Sequence, residues 1–467
     1  MGTVPFFKCK DVLHIRSAPA LMFWLVVAVR LCAGAPTDST CRAGAAAVEL
    51  EGEDSMVIGG GIGPGHAQGQ EGKLRAVATV VEAADGSRVA IVSCDVLMIE
   101  RDFLDQASKS IQSELGIPFE NVLVNATHTH HAPTTVSIHG YERDEKFCGR
   151  VRDAVVAAVR QAFARLKDDR AGRCEMLFRL GEESSVGQNS RLLLSDGTIY
   201  WVGKHDDEVR PTGPFDPELP VLAFKRQGGG YEALIFNHST HLIGPYEYSK
   251  RSPGFYCLAA QELEPELGGT VSFVAGAFGS THNLRLSGKE MSYRIKTAVR
   301  SALASAQPMP VPTVRSIKRE ISFRVRHFDE AKEDEAVSYY TKTRMTGDPS
   351  YTIDVFRKMR QALAPKQGAE RRTWVQAMRI GDVAWVGVPG ELFTKLGIEI
   401  KRRSPFRYTF VAGVANDYIG YIPDAEGFDL GGYQTWTGFR SFVEKCTGEK
   451  IVDTAVELLG QVRMEGK

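Results

Sequence analysis

The sequence predicts an α/β (mixed) fold, one large layered domain with mixed β-sheets flanked by helices. Three observations carry this expectation. Short apolar or alternating runs suited to strands alternate with segments whose apolar residues recur at helical spacing. Two of the strand pairs are joined by glycine turns, the mark of antiparallel hairpins. No Pro/Gly/Ser-rich linker interrupts the chain after residue 42, so residues 42–467, long enough for two or three domains, are read as one.

The first forty residues differ from the rest. Lys8, Lys10 and Arg16 precede an apolar stretch at 18–29, and small residues follow at Ala33, Gly34 and Ala35. Basic, apolar and small is the order of a secretory signal peptide. Residues 1–35 are therefore expected to be a signal, cut after Ala33 or Gly34, and the mature chain to be exported, secreted or periplasmic. The alternative is an uncut membrane anchor, although this apolar stretch is short for a bilayer.

The elements follow in order. Residues 88–99 form a continuous apolar run, as in a strand buried on both faces. Phe103, Leu104, Ala107, Ile111 and Leu115 mark one face of a helix closed by Gly116 and Pro118. Residues 121–130 return as a strand, and Val151, Val155, Val159, Ala162 and Leu166 mark a longer amphipathic helix. A hairpin at 220–241 turns at Gly228 to Gly230, 270–279 is another buried strand, and a second hairpin at 372–391 turns at Gly381-Asp382. The charged stretch 330–371 is expected to form surface helices.

Composition narrows the function classes. Fifty-seven basic residues balance fifty-seven acidic ones, so the surplus charge that phosphate-backbone binding requires is missing and nucleic acid is not an expected partner. Beyond the signal, Cys41, Cys94, Cys148, Cys174, Cys257 and Cys446 are scattered without a CxxC pair. That is neither a disulfide scaffold nor zinc-knuckle spacing, and most are expected to be buried apolar thiols.

The histidines collect at two strand ends. His128, His130 and His131 lie in THTHHAP, and His238 and His241 in FNHSTHLIG. Alternation along a strand would place His128 and His130 on one side, a geometry suited to one metal ion or to a metal and its acid/base partner. Each histidine taken singly has a structural alternative as a hydrogen-bonded core residue. Glu391, after Pro389-Gly390, has one as a carboxylate in the first turn of a helix. Tyr421 and Tyr433 have one as half-buried tyrosines.

Four ordered motifs decide among these alternatives. NATHTHHAPTT, GPFDPELPVLAFKRQGGGYEALIFNHSTHLIG, VGVPGELFTKLG and VAGVANDYIGYIPDAEGFDLGGYQT resemble segments of the neutral/alkaline non-lysosomal ceramidases and their bacterial relatives. The resemblance implies one Zn²⁺ per chain, held by His128, His238, Glu391 and Tyr421. It implies His130 and Tyr433 as catalytic groups, one shuttling a proton or holding the oxyanion, the other donating to it. Asn189, Arg191, Ser280 and His282 are the residues it places against the substrate. Nitrogen and carboxylate ligands suit zinc, and an open position makes such a site catalytic.

Three departures qualify the resemblance. The family's G-D-x-S-P loop is here Gly279-Ser280-Thr281-His282-Asn283, so the serine is lost in ungapped register. His131 replaces a family serine. Only some thirty residues follow Tyr433, and no C-terminal immunoglobulin-like domain is expected. The resulting expectation is a zinc-dependent amidohydrolase with metal-activated water as nucleophile, acting on ceramide or another N-acyl or ester substrate such as an acylated sugar. Its partner is a small lipid or N-acyl molecule, with peripheral membrane contact made through the substrate. The alternative is a catalytically degenerate binding protein on the same fold.

Overall fold

The apolar run at 88–99 is explained by what covers it. In the computed structural model, which describes residues 40–168 and 172–464, its strand spans Arg88–Cys94. Val89 and Ile91 face a second sheet, whereas Ala90, Val92 and Cys94 face helices. The same alternation runs through the neighbouring strands and generates four layers, helices on sheet on sheet on helices. The expected signal segment lies outside the described residues. Among the described residues, no helix is long and apolar enough to cross a membrane.

The larger sheet runs from edge to edge as Thr270–Ala275, Tyr231–His238, Glu218–Arg226, Arg173–Glu182, Thr40–Glu49, Arg75–Glu82, Arg88–Cys94 and Val122–Ala126. Its two outermost pairs are parallel and the rest antiparallel. The helices Arg101–Leu115, Glu145–Leu166, Gly254–Leu267 and Gly288–Ala304 supply its outer layer. Val151, Val155, Val159, Ala162 and Leu166 are all buried, as their spacing predicts. The smaller sheet orders Val314–Arg324, Glu370–Ile380, Val383–Gly387 and Tyr408–Ala412. It is backed by the helices Thr394–Arg403 and Thr447–Met464. Both expected hairpins are present, and Gly381, at φ 58°, makes the left-handed turn between Ile380 and Val383.

Three elements depart from expectation. The strands at 88–99, 121–130 and 270–279 stop at Cys94, Ala126 and Ala275. The remainder of each run crosses the end of the sheet as irregular chain: 95–99 and 276–279 are largely apolar because they are covered rather than because they pair, whereas 127–130 is polar and carries two histidines. The stretch 330–371 does form two helices, Glu330–Arg344 and Ser350–Leu363. They are not merely surface elements, because Val337, Tyr340, Ile353, Val355, Phe356 and Met359 build a separate core with Trp436. Cys41, Cys94, Cys148, Cys174 and Cys257 are buried free thiols, whereas Cys446 is exposed.

The edges of the larger sheet meet. Asn125, on one edge strand and fully buried, accepts from Ala275 N on the other at 3.2 Å. Its amide donates to Gly413 O of the segment that leaves the smaller sheet. Asn237 makes the matching connection, donating to Val274 O at 2.8 Å and Val411 O at 2.9 Å. Replacing Asn125 by alanine strands two buried backbone groups, so Asn125→Ala is expected to lose roughly 2–5 kcal/mol of stability. Urea unfolding checks this, and a change within error of zero would mean that the edges hold without that side chain.

Candidate metal centre

The site lies where the carboxyl ends of strands from both sheets converge, the usual place for a ligand in an open α/β sheet. Past Ala126 the chain stays beside the segment leaving Arg88–Cys94, with Thr127 N donating to Cys94 O and His128 N to Val96 O. His128 has φ 67°, a conformation uncommon outside glycine. With this left-handed residue interrupting strand alternation, His128 and His130 still come together, their Nε2 atoms 3.2 Å apart. Gly60, at φ 111°, makes room for the second ring, since a Cβ there would lie 2.6 Å from His130 Nδ1.

His241 arrives from the opposite edge. It follows the strand Tyr231–His238 by three residues, where a parallel bridge between Thr129 and Leu242 holds the two loops side by side. Glu391 and Tyr421 are register partners in a short parallel pair, Glu391–Leu392 with Tyr421–Ile422. Glu391 Oε2 stands 3.5 Å from His128 Nε2 and 3.2 Å from His241 Nε2. Tyr421 Oη lies 3.3 Å from His241 Nε2. Ring nitrogens of His128, His130 and His241 all fall within 4.8 Å of one another.

Hydrogen bonding sets the tautomers. His128 donates from Nδ1 to Leu97 O at 2.9 Å, and His241 donates from Nδ1 to Thr281 O at 2.7 Å. With Nδ1 so engaged, each ring turns Nε2 toward Glu391. Tyr418 donates to Glu391 Oε1 at 3.0 Å, but Oε2 is buried without any hydrogen-bond partner. A buried carboxylate oxygen facing two ring nitrogens without a hydrogen bond is unfavourable alone, whereas a cation among them satisfies all three. Burial pushes the His128 pKa down to about 4 against the opposing pull of Glu391, and it holds His130 well below the ordinary histidine value. Burial would raise the Glu391 carboxyl, but His128 and His241 bring it below the ordinary range. His128 and His130 are therefore neutral and the carboxylate ionised, the states in which these groups bind metal.

A cavity of about 20 Å³, room for about one water, opens between His128, His130, Glu391 and Tyr421. Tyr433 and Arg440 line its far side. Tyr433 stacks on Trp201 at 4.1 Å, and the Arg440 guanidinium sits 3.5 Å from the centre of its ring. The helix Ser350–Leu363 contributes Phe356 to the same wall.

His241, and not the expected His238, is the histidine of this loop that faces Glu391. His238 is fully buried, with Nε2 against Glu183 O at 2.8 Å and Nδ1 against the Tyr256 hydroxyl, so neither ring nitrogen is free for a metal. The four residues expected at the substrate also lie outside the cavity lining. Ser280 Oγ accepts from Thr394 N at 3.0 Å and serves the start of the helix Thr394–Arg403. Arg191 donates to Gln434 Oε1, Gly427 O and Gly431 O, clamping the segment that carries Tyr433. Asn189 donates to Pro214 O and accepts from Arg191 N. His282 backs the centre from behind, its ring stacked on His241 at 5.4 Å. The sequence contained a signal for His241, which ends the quoted histidine cluster, but none for Arg440.

This assignment separates the two histidines experimentally. His241→Ala is expected to lose bound divalent metal. His238→Ala keeps it and loses stability by about 1–3 kcal/mol, the scale of buried hydrogen-bond groups left unmade. Elemental analysis with thermal unfolding on both variants checks this. Metal lost only from His238→Ala would reverse the assignment.

No family model matches the chain. A curated relative, the neutral ceramidase of Pseudomonas aeruginosa, is 22% identical over an alignment covering 83% of this chain and 67% of the relative. A crystal structure of neutral ceramidase from Pseudomonas aeruginosa superposes with a TM-score of 0.68 at 20% identity, covering 91% of this chain and 75% of that one. A ceramidase complexed with C2 superposes with the same TM-score and coverage at 18% identity. The chain is thus similar in sequence to a neutral ceramidase along most of its length, and it shares the layered fold of the solved ceramidases.

Proposed function

We propose that this protein is a zinc-dependent amidohydrolase that cleaves N-acyl lipids of the ceramide type into fatty acid and amine. The observation that carries the reading is the buried, unpartnered Glu391 Oε2 facing the Nε2 atoms of His128 and His241. Those three residues and Tyr421 would hold one metal ion per chain, and imidazole and carboxylate donors suit zinc. Zinc bound there supplies Lewis-acid polarisation of a carbonyl and acidification of a water.

The remaining roles belong to the chain's own side chains. His130, neutral and next to His128, can accept a proton from the attacking water and return it to the leaving amine. Tyr433, fixed by Trp201 and lining the cavity, can donate its hydroxyl to the oxygen that gains charge. Ser280 is not needed as a nucleophile, since its hydroxyl is committed to Thr394. Export through the segment 1–35 belongs to the same reading, and it brings the enzyme to extracytoplasmic lipid.

Purified protein is expected to contain zinc and to hydrolyse fluorogenic ceramides or other N-acyl amides, with N-acetyl sugars as the comparison class. Chelation should abolish turnover and zinc should restore it. Tyr433→Phe removes only the hydroxyl, so it should keep the metal and lose roughly a hundredfold in turnover. Absence of hydrolysis across the whole panel with zinc bound would refute the reading. Full activity in Tyr433→Phe would make Tyr433 a packing residue.

A further inference from the structure

The cavity contains a charge that the proposed reaction leaves unused. Arg440 is 1% exposed, yet Nε, Nη1 and Nη2 all lack a hydrogen-bond partner. Other buried arginines are compensated. Arg191 makes three bonds to oxygen, Arg360 pairs with Glu330 and Asp334, and Arg326 donates to Thr435 O and Ser441. Glu391 shares the cavity with Arg440, but no hydrogen bond joins them. A buried cation with no anion is strongly unfavourable, so its retention beside a reactive centre indicates a missing partner.

Its surroundings define that partner. Tyr433 and Phe356 lie 3.5 and 4.8 Å from the guanidinium carbon and stabilise the cation through their ring faces. Rings make no hydrogen bonds to the planar N–H fork, whose geometry matches a carboxylate. Tyr421 N donates to Arg440 O at 2.7 Å, so the arginine's backbone is tied to the strand pair that carries Glu391 and Tyr421. His139 lines the same cavity. With Nδ1 donating to Gly61 O, its buried and unpartnered Nε2 is an acceptor suited to an amide N–H.

We propose that Arg440 binds a carboxylate carried on the amine side of the scissile amide, so that the preferred substrate is an N-acyl amino acid rather than an N-acyl amino alcohol. This rests on the amide-hydrolase reading and moves its preferred substrate from ceramide to an acidic N-acyl conjugate.

The test uses three conjugates with one common acyl chain: N-acylglycine, N-acyl-O-phosphoethanolamine and neutral N-acylethanolamine. The zinc-loaded wild type should favour the glycine conjugate over the neutral one by roughly 30-fold in kcat/KM, the scale of charge-assisted hydrogen bonds. In Arg440→Met that ratio should fall to near one, and Arg440→Lys should restore part of it. A wild type that cleaves acidic and neutral conjugates equally would overturn the proposal and leave the amide-hydrolase reading intact. Preference for the phosphate conjugate would overturn the carboxylate assignment. If no conjugate is cleaved, the hydrolase reading fails. Calorimetric titration with N-acylglycine then decides the subsite, binding at least tenfold tighter to wild type than to Arg440→Lys supporting it and equal binding refuting it. The wild-type ratio and Arg440→Lys keep the test decisive if Arg440→Met does not fold.

Discussion

The constraint on which the structure depends is the joining of the two edges of the larger sheet. An edge strand exposes backbone groups that must be paired or covered. Here Asn125 and Asn237 cover them with side-chain amides while the segment after Tyr408–Ala412 passes between. Asn416 continues the seal, its N–H donating to Val124 O and its side chain accepting from Val124 N. Five antiparallel pairings separate the two parallel edge pairs, so an untwisted sheet would point the edges in opposite directions; their carboxyl ends nevertheless meet, at Asn125 and Ala275. The loops leaving those ends carry His128 and His241, and the smaller sheet delivers Glu391 and Tyr421 to the same point. Residues far apart in sequence meet because the edges meet.

Local strain marks the same place. Of the five non-glycine residues with positive φ among those described, His128, Val414 and Asn416 lie on the converging loops, and His139 lines the cavity. Val414 is a β-branched residue for which that conformation is costly. Its N–H donates to Gly390 O beside Glu391, and its carbonyl accepts from Ala126 N two residues before His128. The strained backbone thus links the loop of a carboxylate to the loop of a histidine. Such conformations persist only where their surroundings over-determine them. The result is a set of donor atoms positioned before any ligand arrives, with their tautomers fixed by the carbonyls of Leu97 and Thr281.

Much of this was legible in the sequence, and the limits have physical causes. Periodicity identified the helices, the hairpins and the layered class, because burial on one or two faces writes directly into residue spacing. Strand ends were overrun because buried chain crossing a sheet end can be as apolar as a strand, as at 96–99, or can imitate strand alternation, as at 127–130. That error propagated to the site. Alternation predicted the proximity of His128 and His130 correctly but for the wrong reason, and it offered no way to choose between His238 and His241. The choice depends on where the strand stops: His238 is still inside it and is consumed by Tyr256 and Glu183, whereas His241 is past it. Tertiary pairing across the sheet edges decides this, and tertiary pairing has no local signature. Arg440 was invisible for the same reason, since a single arginine in a stretch without periodicity reads as surface until packing encloses it.

The Gly279–Asn283 loop supports the centre without lining its cavity. The loop pairs with Gly187–Asn189, placing Thr281 opposite Asn189. Through that pairing it supports His241 from below: Thr281 O fixes the ring's tautomer and His282 stacks on it. Ser280 points the other way, to the start of the helix that follows Glu391. Arg191, next along the paired strand, reaches the backbone around Tyr433. The residues expected to touch substrate therefore form a brace between the two halves of the centre, one arm on His241 and the other on the segment of Tyr433. A brace tolerates exchange of its side chains provided the backbone pairing survives. The groups facing the cavity have no such freedom, and substrate chemistry is to be sought in Tyr433, His139 and Arg440 rather than in this loop.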